Sequence, residues 1–322
     1  MVLTVTLNPL LEKRLFFKKI TVGNGNRSLK MIYTAGGKGI NVSRQLNKLG
    51  IQNLALTFLG GGNGKKLRSI LETENINHAI VSSKSETRFA ALTIEEKANR
   101  LTTFFSPNSE ITQKEAKDFI QKLEKIIKNN SIVVFSGSSP NKFTDQIFPA
   151  GIELARKYDK FCILDTYGNH LKNCLEKGPD VFHGNVSEIE NSLDVSLSNV
   201  KLKEEFMDYL YSKGIKLSFI TDGENNGYAA KFNFHYKITN AVVNQIDSTG
   251  SGDAFVAGIA YGLEKALVFE DFTKFASALG AANATKWEVC DSTFEETEKV
   301  INQIKVSPIG KKMKLIDDSP TI

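Results

Sequence analysis

Asp247-Ser248-Thr249-Gly250-Ser251-Gly252-Asp253 places two glycines and an aspartate directly ahead of a long apolar stretch. Gly250, Ser251 and Gly252 stand where a helix would begin, and the first N–H groups of a helix have no partner within it. Those donors and the positive end of the helix dipole would face any anion set before them. Asp253 could take the proton of a substrate hydroxyl while the amides stabilise a phosphoryl group in transfer. The motif alone fits equally well an aspartate that merely caps the first turn.

A second glycine-rich turn, 34–44, also feeds a helical pattern. Gly36, Gly37 and Gly39 let the backbone crowd a ligand, Lys38 offers a point charge for phosphate, and Asn41 can donate and accept hydrogen bonds to sugar hydroxyls. Asn185 and Glu188 stand three residues apart, so on one helical turn they share a face and could hold a water-coordinated magnesium ion. Arg27 and Arg88 carry guanidinium forks that could clamp a phosphate. Each feature alone also has an ordinary reading as a turn or a solvated side chain.

Other patterns exclude chemistry. "FLGGGNGKK" (58–66) looks like a phosphate-binding P-loop, but it is one residue short between glycines and lacks the Ser or Thr after the lysine. Gly250-Ser251-Gly252 lacks the third glycine of a dinucleotide fingerprint and comes late in the chain. Cys162, Cys174 and Cys290 are far apart, with no CxxC and no histidine at metal-ligand spacing, which argues for a reduced compartment and against structural zinc. His78, His170, His183 and His235 form no catalytic or zinc pattern and are read as structural.

The net charge of +5 comes from 41 basic residues interspersed with 36 acidic ones, which suits small anions better than nucleic acid. The start of the chain reads as a strand rather than a signal peptide, and no membrane span is visible, so a cytoplasmic protein is expected.

These residues need a scaffold. Short β-rich runs ("VLTVTL", "NLALTFLG", "IVVFSG", "FCILDT", "LSFITDG") alternate with helical stretches such as 112–129, 142–158 and 200–213. That alternation predicts an α/β fold with a mainly parallel sheet buried on both faces. Ile40, Val42, Leu46 and Leu49 mark the inner face of a helix that Gly50 stops. Segments 13–34 and 86–106 carry strand-like runs with no helix between them and predict an antiparallel excursion from the main sheet, read as a lid. Three helical segments follow 252, ending near Val306, with a loose tail over 307–322.

Taken together, "TLNP" (6–9), "GGKGINVSR" (36–44), "SGSSP" (136–140), "NVSE" (185–188), "TDG" (221–223), "DSTGSGDAFVAG" (247–258) and "ALGAANAT" (278–285) occur in the order seen in the ribokinase-like, PfkB-type sugar kinases, which the chain resembles from residue 3 to about 304. "TVGNGNRS" (21–28) and Lys38 are similar to the phosphosugar branch, 1-phosphofructokinase and tagatose-6-phosphate kinase, leaning toward the former. The resemblance implies a ribokinase-like three-layer α/β/α sandwich over 1–306, with a small β-sheet lid that often serves as a homodimer interface, and ATP and Mg²⁺ as cofactors. It implies Asp253 as base, Gly250, Ser251 and Gly252 as anion hole, and Glu12, Arg27, Gly37, Lys38, Asn41, Arg88 and Ser138 around the phosphosugar. Asn185 and Glu188 would organise Mg²⁺, through water, and the ATP phosphates; Thr221 and Gly223 would follow the nucleotide, and Asn283 would line the adenine side.

The chain departs from that branch in places. Glu12 stands where an aspartate grips sugar hydroxyls, and the extra methylene alters which sugar fits. His183-Gly184-Asn185 replaces Lys-Pro-Asn, losing a lysine near the nucleotide phosphates. "SGSSP" stands for SGSLP, "TDGENNG" is one residue longer than usual, and Asp247 is more typical of kinases of unphosphorylated sugars. The implied reaction is phosphorylation of a ketohexose phosphate, D-fructose 1-phosphate at O6 first, tagatose 6-phosphate or fructose 6-phosphate as alternatives. A nucleotide- or sugar-binding protein with degraded activity is the rival from another class, and would show ligand-induced thermal stabilisation without ADP production.

Overall fold

The computed structural model describes residues 1–310. β1 (Val2–Thr6) leads out to β2 (Leu10–Phe17) and β3 (Lys30–Gly36), and the chain returns through α1 (Lys38–Lys48), β4 (Asn53–Leu59), α2 (Gly61–Thr73) and β5 (His78–Ser82). It leaves again for β6 (Phe89–Glu95) and β7 (Arg100–Phe105), then alternates through α3 (Gln113–Ile127), β8 (Ile132–Ser136), α4 (Ile147–Lys157), β9 (Phe161–Asp165), α5 (Leu171–Glu176), β10 (Val181–Asn185), α6 (Val186–Leu193), α7 (Val200–Ser212) and β11 (Leu217–Thr221). β12 (Gly227–Lys231), β13 (Phe234–Thr239), α8 (Ser251–Glu264), α9 (Phe269–Asn283), α10 (Phe294–Ile301) and β14 (Lys305–Ile309) complete it.

The main sheet has ten strands in the order β14-β13-β12-β11-β10-β9-β8-β1-β4-β5. β11 through β5 pair parallel, whereas β12, β13 and β14 add on antiparallel. β1 shows why the centre is parallel and covered on both sides, since all five of its residues are buried. Its Leu3 and Val5 join Phe119, Phe148 and Phe182 in the core under α3 to α7, and its Val2 joins Val42, Leu46 and Val256 in the core under α1, α8 and α9. Thr4 is tolerated there because its Oγ1 lies 2.7 Å from Ser43 Oγ of α1. A capping box, in which Thr112 and Glu115 satisfy each other's backbone N–H, starts α3.

The smaller sheet runs β3-β2-β6-β7 from the two segments expected to form a lid. β2/β3 and β6/β7 are antiparallel as expected, but the central β2/β6 pair is parallel. Both excursions leave the same edge of the main sheet, after the parallel strands β1 and β5, so their outgoing strands point the same way. The expected start of a tail at 307 falls inside β14, which pairs with β13 from Lys305 to Ile309. Val306 and Ile309 pack against the two cores, and Pro308 is tolerated because the strand is at an edge. Residues 311–322 lie outside the described residues. Among the described residues no helix is long and apolar enough to cross a membrane.

Candidate active site

Parallel α/β sheets bind ligands beyond the carboxyl ends of their strands. Here a cavity of about 1010 Å³ opens between that edge and the small sheet, lined by Leu10, Glu12, Ala90, Leu92 and Phe105 from above and by the glycine-rich turns from below. Ser138, Asn185, Thr221 and Gly223 enter it from the ends of β8, β10 and β11. Of the residues expected in the site, all line this cavity except Arg27, Asn283 and the turn glycines Gly36 and Gly39.

Gly250 is the N-cap of α8 at φ +78°, a left-handed conformation that glycine adopts without strain. A Cβ there would also meet Val289 Cγ1 at 2.3 Å. The Ser251 N–H is used within the turn, donating to Ser248 O at 3.1 Å. No hydrogen bond among the described residues uses the N–H of Gly250, Gly252 or Asp253, so the amides left free at this turn are these, whereas the expected set contained Ser251. Asn283 holds the turn from behind: its Nδ2 donates to Thr249 O (2.9 Å) and Ser251 Oγ (3.2 Å), and its Oδ1 accepts from Cys290 N (2.7 Å). At 1% exposure with its amide consumed, it does not reach the cavity, contrary to the adenine-side role expected of it.

Asp253 is 5% exposed, and Asn41 Nδ2 donates to its Oδ2 at 2.8 Å. Asn41 is itself fixed by Arg44, whose Nη1 donates to Asn41 Oδ1 at 2.7 Å. Burial raises the Asp253 pKa, Lys38 opposes that, and the nearby Asp165 adds to it; the outcome is a carboxyl pushed up to about 7. A carboxylate with that affinity for a proton at neutral pH suits a general base.

Lys38 opens α1 and turns its ammonium to carboxylates, with Nζ 2.8 Å from Glu188 Oε1 and 3.4 Å from Asp165 Oδ1. Burial alone would lower its pKa, but Asp165, Glu188 and Asp253 outweigh that and raise it, so it stays charged. Asp165, fully buried at the end of β9, was not among the expected residues. It accepts from Ser136 Oγ at 2.6 Å and pairs with His183 Nδ1 at 2.9 Å. Burial pushes its pKa up, yet Lys38, His183 and Ser136 together hold it below the ordinary carboxylate value. His183 Nε2 lies 3.3 Å from Thr221 Oγ1, and its ring stacks on Phe255 at 5.2 Å. A position read as structural therefore touches the site.

Asn185 caps α6, its Oδ1 accepting from Glu188 N and Ser187 Oγ, both at 2.8 Å. Glu12 Oε2 accepts from Arg14 Nε (2.9 Å) and Thr34 Oγ1 (3.0 Å). Its longer side chain fits because residue 36 is glycine; a Cβ there would come within 2.7 Å of Glu12 Oε1. Arg88 Nη2 donates to Asn8 O at 3.0 Å, Asn8 Nδ2 donates to Ser138 Oγ at 3.1 Å, and the guanidinium lies 5.8 Å from the Phe105 ring centre. Burial lowers the Arg88 pKa. Arg27, by contrast, is exposed in the loop between β2 and β3 and does not line the cavity, contrary to expectation. The rejected P-loop is closed by the chain itself, since the Glu86 carboxylate accepts the Asn63 N–H at the start of α2, where a phosphate would sit.

Among the described residues no group of three or more His, Cys, Asp or Glu side chains could hold a metal ion. Glu188 lines the cavity, whereas Asp165 is buried behind it and meets it through the Lys38 ammonium, so a hard cation that keeps most of its water, as Mg²⁺ does, would be met by Glu188.

The family model for pfkB family carbohydrate kinases matches residues 13–296. The chain is 30% identical to a 1-phosphofructokinase of Borreliella burgdorferi over 96% of its own length and 99% of that protein. It is 29% identical to a tagatose-6-phosphate kinase of Staphylococcus epidermidis, over 95% and 99%. A crystal structure from Thermotoga maritima, named as a possible 1-phosphofructokinase, superposes with a TM-score of 0.88 at 27% identity, covering 96% of this chain and 99% of that one.

Proposed function

The chain belongs to the pfkB family of carbohydrate kinases, phosphotransferases with an alcohol acceptor, and from that premise we propose that it transfers the γ-phosphoryl of ATP to O6 of D-fructose 1-phosphate, giving fructose 1,6-bisphosphate. At the coarser level it is a phosphosugar kinase of the 1-phosphofructokinase and tagatose-6-phosphate kinase type. The observation that carries the reading is Asp253: a buried carboxylate with a pKa near 7, held by Asn41 beside the unengaged amides of Gly250 and Gly252. Asp253 takes the proton of the acceptor hydroxyl, and the amides stabilise the phosphoryl oxygens as charge shifts between them; catalysis is chiefly positioning and electrostatics. Lys38, Arg88 and Ser138 receive the phosphate already on the sugar, and Glu12 with Asn41 meets its hydroxyls. Thr221, Gly223 and Asn185 follow the nucleotide.

Glu188 would hold Mg²⁺ through water, where the ion would neutralise phosphate charge. The exposed apolar side chains Met31 and Phe104 of the small sheet, with Leu29 just before β3, support a second copy of the chain docking there. The three free cysteines are all buried, which suits a reducing cytoplasm.

The test is ADP release with fructose 1-phosphate, tagatose 6-phosphate and fructose 6-phosphate as acceptors. The highest kcat/KM is expected with fructose 1-phosphate. A preference for either 6-phosphate would reassign the acceptor, and binding without ADP release from any would refute kinase activity.

A further inference from the structure

Lys38 and Arg88 are the only Lys or Arg side chains among the described residues that line the cavity. Arg88 is tied to Asn8 O and lies toward Asn108 and Phe105, on the lid side. Lys38 is bound to Glu188 and Asp165. Among the described residues Glu188 has no ion-pair partner besides Lys38, whereas Asp165 is also hydrogen-bonded to His183 and Ser136. The Lys38 stem rises beside Gly137, where a Cβ would lie 3.5 Å from Lys38 Cβ, and hence next to Ser138. A flexible four-carbon stem rooted there can aim its ammonium at the carboxylates or at a phosphate beside Ser138, but the short contacts of a point charge do not serve both fully.

We infer that Lys38 is the shared counter-ion of the acceptor's phosphate and of the Glu188–Asp165 pair, so that a phosphate-bearing acceptor and a divalent cation bind cooperatively. The inference rests on the phosphosugar reading above. When the phosphate draws Lys38 away, Glu188 and Asp165 lose a positive neighbour, and an uncompensated carboxylate in a half-buried site is costly. A divalent cation removes that cost. The coupling is reciprocal, as linkage requires. A sugar without phosphate leaves Lys38 on its carboxylates, and the metal then has to displace the ammonium. Selection for a phosphorylated acceptor would thus be exerted partly at the metal site, through competition for one ammonium.

The experiment is Mn²⁺ binding to the full chain without nucleotide, followed by the electron paramagnetic resonance signal of free Mn²⁺, alone and with saturating fructose 1-phosphate, tagatose 6-phosphate or unphosphorylated fructose. Saturation is set by calorimetry. A phosphosugar is expected to tighten Mn²⁺ by about 5–150-fold, the usual span of a coupling between sites, and fructose is expected to leave it unchanged. Lys38→Met is expected to bind Mn²⁺ more tightly than the parent without sugar and to lose the dependence on phosphosugar. Equal Mn²⁺ affinity with and without saturating phosphosugar overturns the inference in the unaltered protein, whatever the variant does. So does a folded Lys38→Met that keeps the full tightening, which would mean that the phosphate attracts the ion directly. If no phosphosugar binds, yet Lys38→Met still tightens Mn²⁺, the acceptor reading fails while the competition between Lys38 and the metal stands.

Discussion

Gly250→Ala tests the reasoning about the anion site most severely, because two separable penalties meet at one atom. Alanine at φ +78° costs about 1–2 kcal/mol from Cβ against the following carbonyl. The same Cβ falls 2.3 Å from Val289 Cγ1, and an overlap of that kind in a packed region costs about 1–3 kcal/mol. Stability should therefore drop by about 2–5 kcal/mol, the two contributions together. Relief comes by moving the turn, which also moves the Gly250 and Gly252 amides, and losing such a donor costs on the order of 10²–10³ in kcat. Urea unfolding and steady-state ADP release on Gly250→Ala, Val289→Ala and the double variant separate the two. Val289→Ala should restore about the 1–3 kcal/mol of overlap in the double variant while leaving the backbone strain and part of the kinetic defect. An alanine variant with parental stability and kcat would refute the argument, and a double variant no more stable than additivity predicts would refute its steric half.

Asp253→Asn removes the proton acceptor while keeping shape and the bond to Asn41, so turnover should fall by about 10²–10⁴ with nucleotide affinity retained in calorimetry; near-parental turnover would remove Asp253 from its role. The pH profile follows from its pKa of about 7. The base works as the carboxylate, so kcat/KM should decline as pH falls below about 7 and level off above it, and a profile flat through neutrality would contradict the assignment. Because Lys38 lowers the Asp253 pKa, Lys38→Met should move that limb to higher pH.

Much of this site could be read from residue order because glycine-rich turns, their helices and a following acid are local features. Gly37, Lys38, Asn41 and Gly250 to Asp253 needed only strand-to-helix turns in the right places. The misreadings come from contacts between distant segments. Asp165 was one residue at the end of "FCILD", and only pairing β9 with β8 and β10 brings it to Ser136 and His183; its place at the carboxyl end of a parallel strand was the available signal. Asn283 lies next to the cavity in sequence, through Ala281 and Ala284, but its side chain points back into the turn it braces. Arg27 sits in a lid loop whose direction no periodicity encodes. The parallel β2/β6 pair likewise depends on where two excursions leave the main sheet, a property of topology rather than of either segment.

The strand order carries a consequence for synthesis. From β8 onward, each new strand of the main sheet is added beside the one just made, through β9, β10, β11, β12 and β13. A growing chain can therefore extend one edge continuously as it leaves the ribosome. The sequence is interrupted only at the end, where α8, α9 and α10 intervene before β14 arrives to pair with β13. At ~5–20 residues per second, residues 240–304 take several seconds to emerge, and during that interval β13 offers an open edge to any other extended chain. The last strand thus replaces the open β13 edge with one that carries Pro308 only after the helix bearing Asp253 has been delivered.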